Sequence, residues 1–169
     1  MRKLLDRTYA AALGLAAVCM VGVLLCIVGS VITRQVNFHI DGLDSYAGYL
    51  MASAGFLALA GTLRHGEHIR VTLVLNALNP QNQNRLYVFA GLVGVVLSAA
   101  LAFYSIKLSF DSYTYNDMST GSDATPLWIP QLSMALGTSL FFIAMVDATV
   151  SRLKGHPLKD LKAPEALHE

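Results

Sequence analysis

The sequence predicts an all-α integral membrane protein of four transmembrane helices with both termini in the cytoplasm. Three observations lead there. Four apolar segments, at about residues 10–32, 46–63, 86–106 and 127–150 and uncharged but for Asp147 near the end of the last, come close to the roughly 20 residues a helix needs to cross a hydrocarbon core of about 30 Å. The 169 residues are 54% hydrophobic and 14% charged, too apolar for an ordinary soluble domain and too few for two domains. Four crossings return both ends to one side, and every Lys and Arg except Arg34 and Lys107 falls there. That side holds Arg2, Lys3 and Arg7, then Arg64, Arg70 and Arg85, then Arg152, Lys154, Lys159 and Lys162. The opposite loops carry Asp41, Asp44, Asp111, Asp117 and Asp123. Basic loops stay in the cytoplasm, so the acidic loops face outward. The net charge of +1 conceals this sidedness, and no basic run points to nucleic acid.

The first span follows Arg2 and Lys3 but continues past the 7–15 apolar residues typical of a cleaved signal, so it reads as a retained helix. It is rich in small residues (Gly14, Ala16, Ala17, Gly22, Gly29, Ser30), with Tyr9 at interface depth. Cys19 and Cys26, seven apart on one face, read as packing residues rather than a disulfide or metal pair. Asp41-Gly42 marks a turn in the first outer loop, and Tyr46 and Tyr49 anchor the outer end of the second span. Residues 67–78 fit a strand with Ile69, Val71, Leu73 and Leu75 on one face. They also fit a helix with Val71, Val74, Leu75 and Leu78 on one face. A lone strand beside a bilayer leaves backbone groups unpaired, so a short amphipathic helix along the cytoplasmic interface, ended by Asn79-Pro80, is the expectation.

In the third span Ala90, Gly94, Ser98 and Ala102 recur every four residues, a ridge that lets another helix approach closely. That helix is expected to run beyond the membrane and break near Ser119–Gly121. Thr125 and Pro126 resemble an N-cap and a first helical residue, with Trp128 at interface depth and Pro130 bending the first turn. Residues 1–155 thus form one four-helix membrane domain, and 156–169, with Pro157 and Pro164, a disordered cytoplasmic tail.

Little in the chain carries chemistry. A carrier that moves charge by itself needs ionisable groups at mid-membrane, and the first three spans have none between their ends. Asp147, in the fourth, lies about one turn from the cytoplasmic edge and reads as an edge carboxylate near Arg152 and Lys154. His39, His65, His68, His156 and His168 all fall outside the spans, which leaves a haem between helices without ligands. His65 and His68 read as polar residues closing the second span rather than as a metal pair. Lys107 and Asp111 are placed for an exposed ion pair worth about 0.3–0.5 kcal/mol. A subunit that packs against something larger is the expectation. No catalytic, cofactor or metal residues are assigned.

Gly66-Glu67-His68-Ile69-Arg70-Val71, just after the second span, resembles the glycine-x-histidine-(isoleucine or valine)-x-valine signature of one family. This is the small membrane subunit of tripartite ATP-independent periplasmic (TRAP) transporters. Pro126, Trp128 and Pro130, with Gly137 beyond them, are similar to that family's proline–tryptophan approach to the last helix and its later glycine. The chain departs from the family where it has Asp44 and Ser53 as the nearest counterparts of a glutamate and a tryptophan, and Met134 and Ala135 in place of a proline. The resemblance implies a non-catalytic subunit in the bacterial inner membrane. Its implied partners are a large sodium-coupled transport subunit and a periplasmic binding protein for organic anions such as carboxylates. A haem or quinone anchor for a redox enzyme is the alternative. A small multidrug exporter would need a carboxylate within the first span, which this chain lacks.

Overall fold

The computed structural model describes residues 2–36, 38, 40–64, 80–121 and 123–153. Four helices account for most of them: α1 (Arg2–Gln35), α2 (Leu43–Arg64), α3 (Pro80–Thr114) and α4 (Trp128–Leu153). Each contains a stretch long and apolar enough to cross a membrane. No strand occurs among the described residues; backbone pairing outside the helices is one isolated bridge between Met118 and Pro126. Residues 67–78, where an interfacial helix is expected, and the tail from 154 onward lie outside the described residues.

The helices form an open row rather than a closed bundle. Among the described residues α1 packs on α2, α2 on α4 and α4 on α3, while the remaining pairs barely touch. The edge helix α1 therefore has only 6% of its apolar stretch buried, against 33% for the inner helix α2. The start of α1 and the end of α4 meet the same end of the row, where Tyr9 of α1, Ala60 of α2 and Ala144 of α4 form a buried cluster with Leu5, Leu63 and Leu140 against it. We call this the terminus end and the other the loop end. Tyr9, expected at interface depth, is enclosed at 3% exposure beside the two alanines.

The interior is built from small side chains and the exterior from large ones. Buried positions are mainly Ala, Ser and Thr, whereas Leu25, Val96 and Phe110 are each about two-thirds exposed. In water such an arrangement leaves the hydrophobic effect unused; in a bilayer the exterior is solvated by lipid and close backbone approach supplies the cohesion. The buried hydroxyls bond back to their own helix: Thr138 to Met134 O at 2.8 Å, Ser139 to Ala135 O at 2.6 Å and Thr149 to Met145 O at 2.8 Å. Each therefore enters an apolar seam already satisfied.

Helix ends follow from local chemistry. Asp117 N donates to Ser112 O at 3.0 Å and Asn116 N to Tyr113 O at 3.4 Å, with Asn116 at φ 53°. This is a Schellman close with Asn in the left-handed position, and it stops α3 at Thr114, short of the expected break at Ser119–Gly121. Gly42, at φ 90°, precedes α2 and accepts from Tyr46 N at 3.0 Å, which fits the Asp41-Gly42 turn. Asp44 then lies in α2's first turn, where the helix dipole favours a carboxylate.

Candidate functional site

Three constellations stand out: the seam between α3 and α4, the contact of α2 with its two neighbours, and a polar network at the loop end. On α3 the expected ridge is displaced. Ser98 and Ala102 are buried at 2% and 6%, and a Cβ at Gly94 would run into Met145 Cε of α4, but Ala90 faces outward. Gly91 takes its place, since a Cβ there would come 2.9 Å from Thr149 Oγ1. Farther along, Ser105, Ser109 and Ser112 continue the buried line. A step of four residues turns the face by about 40°, so a strict fourfold repeat winds off the contact within three steps. Alternating steps of three and four, as in 91, 95, 98, 102, 105, 109 and 112, stay on it. The same alternation on α1 puts Tyr9, Ala12, Ala16, Cys19, Val23, Cys26, Ser30 and Thr33 on its inner face. Cys19 and Cys26, free and half-buried, therefore lie on a packing face.

Helix α2 meets α1 and α4 on different faces. A Cβ on Gly22 of α1 would lie 3.0 Å from Leu50 Cδ1, and one on Gly61 of α2 would collide with Leu13. Toward α4, Ser53 Oγ and Ser133 Oγ are 2.7 Å apart, and Ser133 also donates to Pro130 O at 2.7 Å. At Gly137 a Cβ would strike the backbone carbonyl of Phe56. A flexible side chain can yield to such a contact and a helix backbone cannot.

The approach to α4 differs from its expected form. Pro126 sits in the bridge with Met118, outside the helix, and Leu127 O accepts the first helical bond from Gln131 N at 3.2 Å. Trp128 is the first residue of α4 and meets Tyr113 of α3 edge-on, ring centroids 5.6 Å apart. Pro130 is the third residue, where no intrahelical N–H is required, so it removes no helical hydrogen bond. Gly66, His68, Ile69, Arg70 and Val71 lie outside the described residues. Asp147 is half-buried on α4, two residues before Thr149.

At the loop end, Asp123 gathers hydroxyls. Tyr49 donates to its Oδ2 at 3.0 Å and Ser119 to its Oδ1 at 3.0 Å, while Tyr49 is also 2.8 Å from Ser119 Oγ. Gly121 N donates to Ser119 Oγ at 3.1 Å, and Thr125 Oγ1 lies 3.2 Å from Tyr46 OH. A hydrogen bond from the Thr125 side chain, with those of Ser119 and Tyr49, holds the Asp123 carboxyl well below the usual carboxylate range against the opposing effect of desolvation. Gly42 packs on the same residue, since a Cβ there would lie 2.9 Å from Asp123 Cβ. Beside this network, Arg34 Nη2 binds Asp44 Oδ2 at 2.9 Å and Ser30 donates to Asp44 Oδ1 at 3.0 Å. Lys107 and Asp111 do not form the ion pair that their spacing allows, whereas Arg34 and Asp44 do form one.

Sequence reasoning missed Gly91, the serines of α3 beyond Ala102, and the whole Asp123 network. The serines had a legible signal in their three–four spacing, but residues 49, 119, 123 and 125 had none, because only the folded loop brings them together. No group of three or more metal-ligating side chains occurs among the described residues.

Four membrane-length helices, a small-residue interior and a lipid-compatible exterior define a multi-pass helical membrane protein. The family model described as "Tripartite ATP-independent periplasmic transporters, DctQ component" matches residues 23–155. The chain belongs to this family and is a small membrane subunit of a TRAP transporter. No curated protein matches it. The redox-anchor alternative is not favoured by this membership. Asp44 and Ser53, the nearest counterparts of the family's glutamate and tryptophan, are both engaged here, Asp44 with Arg34 and Ser53 with Ser133.

Proposed function

We propose that this subunit packs against a large sodium-coupled transport subunit in the bacterial inner membrane and supports docking of a periplasmic binding protein for organic anions such as carboxylates. Both termini lie in the cytoplasm and the loop end faces the periplasm, in keeping with the basic residues at the terminus end. Neither catalysis nor a cofactor belongs to this chain, and sodium coupling resides in the partner.

One observation carries the reading. Residues 10–32, 46–63 and 86–106 of α1, α2 and α3 hold no Asp, Glu, Lys, Arg or His, while large apolar side chains cover the outer faces of α1 and α3. Such helices offer a charged solute no site but offer a partner helix ample surface. The test is uptake by the large subunit in proteoliposomes with and without this chain. Binding-protein-dependent uptake that requires the chain, with no transport by the chain alone, supports the reading. Transport by the chain alone overturns it.

A further inference from the structure

Gln131 lies in the first turn of α4, and its Oε1 is enclosed with no hydrogen-bond partner among the described residues. Turning the amide over only exchanges an acceptor for a donor at the same place. By the three–four spacing, Gln131 shares a face of α4 with Ala135, Thr138, Phe142, Met145 and Thr149. That face meets α3, with Thr149 at Gly91, Met145 at Gly94 and Trp128 at Tyr113. The antiparallel register so defined puts Gln131 level with Ser109, which is buried, and the buried Ser105 and Ser112 are its neighbours on α3. Farther along the seam the hydroxyls bond back to their own helices, Ser98 to Val95 O at 3.1 Å and Thr149 to Met145 O at 2.8 Å. Gln131 Oε1 has no such bond, and a polar atom enclosed without a partner costs free energy.

We infer that a water molecule binds between α4 and α3, donating to Gln131 Oε1 and Ser109 Oγ, and so fixes the register of the two helices at the loop-end half of their seam. A serine hydroxyl can give its proton to its own helix and still accept one from water. Polar groups that face each other beyond direct reach are joined by water where the site supplies two or more partners. The side chains at the adjoining levels, Ser105, Ser112 and Ala135, are small, which suits a ligand of that size. A lipid tail offers Gln131 no donor. Glycine and alanine contacts let helices approach but specify rotation weakly, whereas a bridged amide specifies it by direction.

Radiolytic hydroxyl labelling of the full chain in phosphatidylcholine nanodiscs, read by mass spectrometry, tests this. Ionising X-rays convert enclosed water into hydroxyl radicals, which oxidise the side chains beside it. Met134, three residues from Gln131, is the reporter. Met51 is an exposed control at similar depth, since Ser53 meets Ser133, and exposed Met118 in the α3–α4 loop is labelled by bulk water. In the wild type Met134 and Met118 should be labelled and Met51 should not. Gln131→Leu and Ser109→Ala should each lose the Met134 label and keep that of Met118. Should Gln131→Leu fail to fold, Ser109→Ala, a smaller change, carries the same test. Thermal shifts of the two variants should be less than additive in the double variant. A wild-type Met134 without label, a label that survives Ser109→Ala, or additive shifts overturn the inference. Coupled shifts with Met134 unlabelled also overturn it, because the amide then meets Ser109 directly.

Discussion

Along α3 and α4 two helices meet through glycine, alanine and serine side chains too small to keep their backbones apart, whereas at the loop end one carboxylate gathers hydroxyls from separate stretches of chain. The first contact works by shape. It tolerates no added volume but is indifferent to charge and pH. The second works by direction, and each of its bonds competes with water, so it orients the loop more than it stabilises the protein. Shape serves where lipid removes the hydrophobic drive for helix association, and direction serves where water returns.

The sharpest way to break this comparison is at Gly137. Gly137→Leu drives a side chain into the Phe56 carbonyl and should separate α2 from α4 at a cost of about 3 kcal/mol, the upper end of overpacking penalties. Cysteines placed at Ser53 and Ser133, in a chain whose Cys19 and Cys26 are replaced by Ala, should cross-link readily, and Gly137→Leu should abolish that link. Next comes the seam itself. Gly91→Leu meets branched Thr149 and should destabilise the detergent-solubilised subunit by about 1–2 kcal/mol. Gly94→Leu should cost less because flexible Met145 can move, and Ala90→Leu should leave the melting temperature unchanged. Equal effects at positions 90 and 91 would restore the fourfold ridge.

The loop end answers to pH instead. Its carboxyl is held below the unfolded value of about 3.9, so the loop's stabilisation is complete above that pH and disappears as pH falls toward the folded value. Trp128, the single tryptophan, abuts Tyr113 at the start of α4 and reports on this end. Its emission should stay constant from pH 8 to about pH 5 and change only below about pH 4. In Asp123→Asn the acid transition should be absent; the same transition in that variant would assign it to another group. The smallest effect belongs to Arg34→Ala, which removes an exposed ion pair and should shift stability by less than about 1 kcal/mol, and by less still in high salt.

Much of the fold was legible before the structure. Spans are read from apolar length alone, and the turn at Asp41-Gly42 follows from chemistry local to those two residues. The helix boundaries were less so. The C-terminal end of α3 depends on Asn116 taking a left-handed conformation, and the start of α4 on Leu127 rather than Thr125 supplying the first acceptor. The ridge on α3 was half legible: its residue types were right, but its exact face depends on where α4 lies. For Tyr9, an aromatic near a chain end suggests interface depth, and only the fold shows it enclosed beside Ala60 and Ala144.

Sequence by itself determined that four helices of membrane length form, what residue types line their contacts and which end gathers positive charge, because apolar length, side-chain size and charge are properties of the chain read locally. Tertiary structure alone decided that the helices stand in an open row, that Gly91 replaces Ala90 in the seam, and that Asp123 joins the two loops at the loop end. These depend on contacts between residues far apart in the chain, where small differences in rotation and packing select the partner.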